Sequence, residues 1–337
     1  MEIIAFNINT GGAKVLLNLL VEKINNQKMP CNIYIENEDV IENTCLSKTI
    51  LPIFISNYFS GLLLLLKSHN NSIFFGNLPP FRKSERTILY LHNEYLTLSL
   101  NEIYKQKISF KSKVKLLSQI MIIKLFHRNV THVAVQTNHM AVKLNSMLNR
   151  EILILPFFDE NILPVNSSQK YFDFCYVGLP SKHKNHETLL IVIRNLINKN
   201  CKFSIALTVP INQDNNQLLS DIKYLNRVSP GCIQNFGFVS KQTVQEIYSK
   251  SRALIFPSKK ESLGLPIIEA LQHDLKILSS NMEFSYEIIE NPIVFDPDNI
   301  NQIEMTMKSF MDDKYNSIQQ SLKIKSHIDT IIKLISV

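Results

Sequence analysis

The run ALIFPSKKESLGLPIIEALQHDLKIL, residues 253 to 278, joins an apolar strand to a helix through a polar loop. The strand ends at Pro257, and the helix opens near Gly264 with Pro266 in its first turn, where the missing N–H costs nothing. Glu261 precedes that helix and Glu269 lies inside it. An ionised carboxylate accepts several O–H hydrogen bonds, and charge-assisted bonds are the stronger kind, so the pair suits a polyhydroxyl ligand. A plainer alternative stays open, with Glu261 as a charge favoured by the helix dipole and Glu269 as a buried ion-pair partner.

Outward from this run, short β-rich apolar segments alternate with helical patterns in both directions, the signature of βαβ units and parallel sheets. In the first half the spacing predicts strands at residues 2–6, 31–35, 73–76, 87–91 and 132–136, and a helix after Gly12 carrying Val15, Leu16, Leu19 and Leu20. In the second half it predicts strands at 172–177, 202–207, 233–236, 253–257, 276–278 and 293–295, with helical patterns such as 186–197 between them. A chain of 337 residues holds about two domains at ~150 residues each. The prolines and polar run around residues 160 to 170 read as the linker. The expectation is therefore an α/β protein of two Rossmann-like, doubly wound domains, 1–165 and 166–337, with room for the last helix to pack back on the first. Only eight glycines are present, and Gly11, Gly12, Gly178 and Gly264 follow strands or open helices. Those are places where helix N-termini beyond strand ends present N–H groups to phosphate. Two sheets whose loops faced each other would make a phosphate cleft, although ordinary tight turns would use glycine in the same way.

Composition excludes several classes. Forty-five per cent hydrophobic residues fit a globular protein and not a disordered tail. Five cysteines, with no CxxC pair, suggest neither a disulfide framework nor a zinc site, and point to a reducing cytoplasm. The N-terminus, MEIIAFNINTGGAK, lacks a basic region before an apolar stretch, so it reads as a first buried strand and not as a signal peptide. Residues 51 to 66, LPIFISNYFSGLLLLL, are the most apolar stretch. They are shorter than the roughly 20 residues of a spanning helix and are expected to form a buried or interfacial helix.

Residues 261 to 270, ESLGLPIIEA, resemble the signature of the retaining group-1 (family 4) glycosyltransferases of the GT-B fold: a Glu, seven residues and a second Glu, with Leu263 in the usual Phe place. Weaker segments follow in order along nearly the whole chain. They are Gly11-Gly12-Ala13 after strand one, the VG…KN segment from Val177 to Asn185, GFVS at Gly237 to Ser240, and FDPDN at Phe295 to Asn299. The resemblance implies a donor site for a nucleotide-diphosphate sugar, mainly in the C-terminal domain. Glu261 would hold hydroxyls of the transferred sugar and Glu269 those of the ribose. Backbone N–H groups of Leu263, Gly264 and Leu265 would face sugar and phosphate. Gly11, Gly12, Gly178 and Phe238 would line the donor, and Lys184, assisted by Lys182, would neutralise the diphosphate leaving group. His92, ending the strand ILYLHNEY, stands where the family often has a His facing donor and acceptor, while a satisfied strand-end histidine remains the plain alternative. His132 and His139 are expected to be structural. Leu179 stands where many members carry an Arg, which leaves diphosphate binding to Lys184 and helix N-termini. The resemblance further implies hexosyl transfer with retention, no divalent metal and no other cofactor.

The chain carries +7, and residues 101 to 130 hold Lys105, Lys107, Lys111, Lys113, Lys115, Lys124 and Arg128 against Glu102 alone. Leu116, Leu117, Ile120 and Met121 recur there at helical spacing, so the segment reads either as an interfacial helix at an anionic inner membrane face or as a core helix with a solvated basic flank. A peripheral enzyme on the cytoplasmic side, building lipopolysaccharide, O-antigen or capsule on a lipid-linked glycan acceptor, follows from the resemblance. A non-catalytic GT-B protein binding a glycan or partner, and a nucleotide-sugar epimerase, are the alternatives. Nucleic acid is not expected as a partner, since no aromatic platform accompanies the basic segment.

Overall fold

The computed structural model describes residues 1–8, 11–41, 46–106, 108–160 and 169–336. The chain divides into two units, Met1–Glu160 with Lys325–Val337, and Asn161–Ile324. The boundary expected at 165 and 166 falls among residues outside the description. The last helix, counted with the second domain in the sequence, belongs to the first unit.

Unit 1 runs β1 (Glu2–Ile4), α1 (Gly11–Asn26), β2 (Cys31–Ile35), β3 (Ile50–Phe54), α2 (Tyr58–Leu64), β4 (Ser72–Phe74), β5 (Thr87–Leu91), α3 (Leu100–Lys105), α4 (Phe110–Phe126), β6 (His132–Val135), α5 (Asn138–Leu148) and β7 (Leu153–Ile154). Its sheet has the order β3-β2-β1-β4-β5-β6-β7, and every pair is parallel. Unit 2 runs β8 (Phe172–Tyr176), α6 (His186–Asn198), β9 (Ile205–Leu207), α7 (Asn216–Val228), β10 (Ile233–Asn235), α8 (Lys241–Ser249), β11 (Ser251–Phe256), α9 (Leu265–Gln272), β12 (Lys276–Ser280), α10 (Glu283–Ile288), β13 (Ile289–Glu290), β14 (Ile293–Phe295), α11 (Ile300–Met311) and β15 (Ser321–Leu322). The parallel sheet there has the order β10-β9-β8-β11-β12-β14, and β13 and β15 form a separate antiparallel pair. Finally, α12 (Ile328–Ser336) returns to unit 1.

The central strands are near-continuous apolar runs because helices cover both faces of such sheets. Ile88, Leu89, Tyr90 and Leu91 are fully buried, as are Ala253 to Phe256. Helix α6 shows the matching pattern, burying Leu189, Leu190, Val192, Ile193, Leu196 and Ile197 along one side. In α1 the inward face is Leu16, Leu17, Leu20, Val21 and Ile24. It is rotated from the predicted set, since Val15 is exposed. All eleven predicted strands are present, while β3, β7, β13 and β15 had no reading as strands.

The largest departure is at residues 51 to 66, which form not one helix but an edge strand and a short helix. Ile-Leu-Pro-Ile-Phe has β character, and Pro52 is tolerated because β3 has a neighbour on one side only. Asn57 then starts α2 by accepting the Ser60 N–H at 2.9 Å. A second departure concerns α4, whose apolar residues do not share one face. Leu116, Ile120 and Ile123 point into the core with Gln119, whereas Phe110, Val114, Leu117, Met121 and Leu125 are exposed among the lysines.

Candidate active site

Strand order reverses between β8 and β11, so their outgoing loops leave the sheet side by side in opposite directions and open a crevice at its carboxyl edge. The loop after β8 carries Lys182 and Lys184 in one 3₁₀ turn, and the loop after β11 carries Glu261. The Lys184 Nζ lies 2.5 Å from Glu261 Oε1, with the two side chains 16% and 11% exposed. Residues 77 positions apart thus form a largely desolvated ion pair at the crevice.

Backbone straps hold the two loops in register. The Tyr176 hydroxyl, at the end of β8, donates to the Lys184 carbonyl at 2.6 Å. The Lys259 N–H donates to the His183 carbonyl at 2.7 Å, and the Ser258 hydroxyl reaches the same oxygen at 3.3 Å. Phe256 presents its ring to the Lys184 ammonium, 5.3 Å from the centroid. Asn185 adopts a left-handed conformation that turns the chain into α6, and its amide donates to the Pro297 carbonyl at 2.8 Å. Together with the Lys259–Asp298 ion pair, this draws the loop after β14 into the same assembly.

Helix α9 starts from Gly264, whose φ of +67° in a left-handed N-cap is disfavoured for residues with a Cβ. No side chain caps the helix, and Pro266 occupies its first turn. Leu263 turns its side chain into the core, 2% exposed. Glu269 sits one turn into α9, where its Oε2 accepts the buried Tyr248 hydroxyl at 3.1 Å. Gly178 donates its N–H to Thr208 at 3.0 Å, fixing the turn out of β8. Lys182 is exposed, and so is Phe238, at 80%, in the loop after β10. Burial pushes Tyr176 upward with Glu261 adding to the effect, and pushes His186 down to about 3 with Lys184 adding to it. His186 stacks on Tyr176 at 4.5 Å.

Gly11, Gly12 and His92 belong to unit 1. The two glycines open α1 beyond the end of β1, in a loop where Asn7 donates its N–H to Glu36 at 3.1 Å and accepts from Lys115 at 2.8 Å. His92 follows β5, with its N–H on Asn77 Oδ1 at 3.1 Å and its ring 4.9 Å from Phe75. Its Nε2 lies 3.0 Å from the Asn77 amide nitrogen and 2.9 Å from the Phe75 carbonyl, and the tautomer decides which of the two contacts is a hydrogen bond. Burial pushes this imidazole down to about 4, so it is neutral at pH 7. His139 lies 3.8 Å from Glu94, and burial pushes His132 down.

The residues that sequence reasoning missed are Tyr176, Ser258, Lys259 and Asp298. Lys259 and Asp298 had a visible signal, since one stands two places before Glu261 and the other lies within FDPDN. Tyr176 had none, because a strand-end tyrosine is ordinary until its hydroxyl partner is known.

The chain matches the family described as glycosyl transferases group 1 over residues 158–326, half of its length. It is 29% identical over 90 residues to O-antigen chain mannosyltransferase B of Escherichia coli, a match spanning 26% of this chain and 24% of that relative. Among solved structures, sucrose-phosphate synthase from Thermosynechococcus elongatus superposes with a TM-score of 0.73 at 13% identity, over 99% of this chain and 94% of that one. Anabaena HepE in complex with UDP-glucose superposes at 0.70 and 12% identity, over 100% and 98% of the two chains. With its motif at the strand-order reversal of the second of two parallel-sheet units, the chain belongs to the group 1 glycosyl transferases and has the GT-B fold.

Proposed function

We propose that the protein transfers a hexosyl unit from a nucleotide-diphosphate sugar to a lipid-linked glycan acceptor in bacterial surface polysaccharide synthesis, with retention at the anomeric carbon and without a divalent metal. The Lys184–Glu261 pair carries this reading. Departure of the nucleotide diphosphate builds negative charge, and a cation already fixed at the crevice lowers that barrier without reorganisation. In the unliganded chain Glu261 holds the ammonium. When a donor binds, its phosphate oxygens share that cation and its hydroxyls donate to the Glu261 carboxylate. The uncapped start of α9 adds partial positive charge to the same place. Glu269, held by Tyr248, takes the ribose hydroxyls. His92 is neutral at pH 7 and so adds no charge of its own.

A lipid-linked acceptor calls for a membrane surface. Lys111, Lys113, Lys115 and Lys124 on α4 surround the exposed Phe110, Leu117, Met121 and Leu125, which suits the cytoplasmic face of an anionic bilayer. Each basic residue there adds ~1 kcal/mol. The unpaired thiols of Cys31, Cys175, Cys201 and Cys232 fit a reducing compartment. Relatedness to an O-antigen mannosyltransferase supports the pathway.

The test is thermal unfolding with UDP, GDP, dTDP and CMP, where a nucleotide at 100 times its Kd stabilises the native state by ~2.7 kcal/mol. One nucleotide should raise the melting temperature, and Glu269→Ala should abolish that rise. Turnover of the matching donor should fall by roughly 10²-fold or more in Lys184→Ala and in Glu261→Ala. A folded protein that responds to no nucleotide would return the assignment to a non-catalytic binding protein.

A further inference from the structure

We propose that the charge-free span of residues 50–66 is a second membrane contact, which seats its apolar side chains in the interfacial layer of an anionic bilayer beside the lysines of α4. The inference rests on the membrane reading of the basic segment given above and extends it to a part of the chain with no basic residue of its own. Strand β3 lies at the sheet edge, and Leu51, Ile53 and Phe54 are 55%, 37% and 49% exposed, so beyond the buried Ile50 both of its faces are open. Helix α2 and the turn after it continue the surface with Phe59, Leu63 and Leu66, at 67%, 48% and 47%. Exposed apolar side chains this concentrated mark a contact surface.

The rim of the patch supplies the sign of the partner. Exposed Lys48 and Lys67 bracket the span in sequence, and the Lys115 ammonium of α4 lies 5.6 Å from the Tyr58 ring at the start of α2. Apolar centre and cationic rim match acyl chains under anionic headgroups. The carboxylate nearby, Glu36, is turned to the Asn7 N–H.

The backbone of β3 argues against a second copy of the chain as the occupant. Ile55 donates to Ile35 and Thr49 accepts from Cys31, so the alternate residues Ile50, Pro52 and Phe54 direct their backbone groups to the open side. Pro52 has no N–H, and that of Ile50 is spent on the Ser47 carbonyl at 3.0 Å. An edge with its central donor missing is a poor template for strand pairing. Headgroup water can solvate the outward carbonyls at interfacial depth, where no pairing is required.

The chain contains no tryptophan, so Phe59→Trp gives a single fluorescent probe at an exposed position. The full chain is tested with phosphatidylcholine vesicles, with and without phosphatidylglycerol. With the anionic vesicles the emission should shift to the blue and be quenched by brominated acyl chains. Co-sedimentation of a Phe54→Ser, Phe59→Ser, Leu63→Ser triple variant should weaken at least about tenfold, three large apolar side chains being lost from the interface. If the protein binds anionic vesicles while the probe stays solvent-exposed and the triple variant binds as tightly as the parent, the inference falls and the basic-segment reading stands. If the parent binds no vesicle, both fall. A blue shift that needs no lipid and grows with protein concentration would overturn the inference in favour of a second copy.

Discussion

His69 is 3% exposed and lies between two acceptors, the Glu2 carboxylate at 2.8 Å from Nδ1 and the Leu64 carbonyl at 2.9 Å from Nε2. Only the doubly protonated ring donates to both. Burial pushes its pKa down most strongly, but the bonds to Glu2 and Leu64 and the Glu2 charge outweigh it, and the net shift is upward. The bond from His69 holds Glu2 below its ordinary value, against burial. The histidine's contribution to stability is therefore complete below its unfolded value of about 6.5 and is lost as pH rises through the raised folded value. The Glu2 contribution is complete above its unfolded value of about 4.3 and is lost as pH falls through the lowered one. His69→Leu should cost about 1–3 kcal/mol near pH 5.5, because the Glu2 carboxylate and the Leu64 carbonyl each lose a hydrogen bond from a charged donor. Denaturant titrations across pH should show that deficit shrinking above neutrality, and a deficit constant from pH 5 to 9 would refute the charged-histidine account. Glu261 and Glu269 were legible as a carboxylate pair around a helix start, and Lys184 only through its place in the family pattern; folding sets Lys184 against Glu261. The His69–Glu2 pair was not legible, because only folding brings position 69 to the start of β1.

At the scale of elements, α2 shows packing overruling propensity. Gly61 sits inside a helix, where Ala is favoured by ~1 kcal/mol. A Cβ at that position would stand 2.5 to 2.8 Å from ring atoms of Phe6, which is itself 1% exposed. Overpacking of this kind costs about 1–3 kcal/mol, so the clash wins. Gly61→Ala should lower stability by about 1–2 kcal/mol, and adding Phe6→Leu should recover part of the loss. A gain in denaturation midpoint for Gly61→Ala alone would show that α2 does not rest on Phe6. The same element explains why residues 51 to 66 were misread: a run apolar at nearly every position has no period to distinguish strand from helix. Helix α4 shows a related effect. Its apolar residues lie on two faces, and spacing alone does not separate the one that meets the core from the one that meets solvent.

At the scale of the molecule, the last helix returns to the first unit. Helix α12 buries Ile328, Ile331, Ile332 and Ile335 against β5 and α1, with Lys23 3.0 Å from Asp329 at its rim. His327 donates its N–H to the Pro156 carbonyl, and Ser326 bonds both Phe158 and Glu160. Four isoleucines at about 1.5–3 kcal/mol each are comparable with the whole net stability of a domain. A chain ending at residue 326 should therefore lose hydrogen-exchange protection across β5 and α1 while β8 and β11 keep theirs. Equal protection in both units would mean that α12 is dispensable.

The sequence by itself determined the α/β class, eleven of the strands, the two-part organisation and the charged residues at the crevice. Each of these is written in local period, in turn residues, or in a motif whose spacing the chemistry sets. Tertiary structure decided that Lys184 rests on Glu261, that Tyr176 and Asn185 strap their loops, that β3 is an open edge, and that α12 crosses back. Each of these depends on contact between positions far apart in the chain, and such contacts exist only once the sheets have formed and buried their faces.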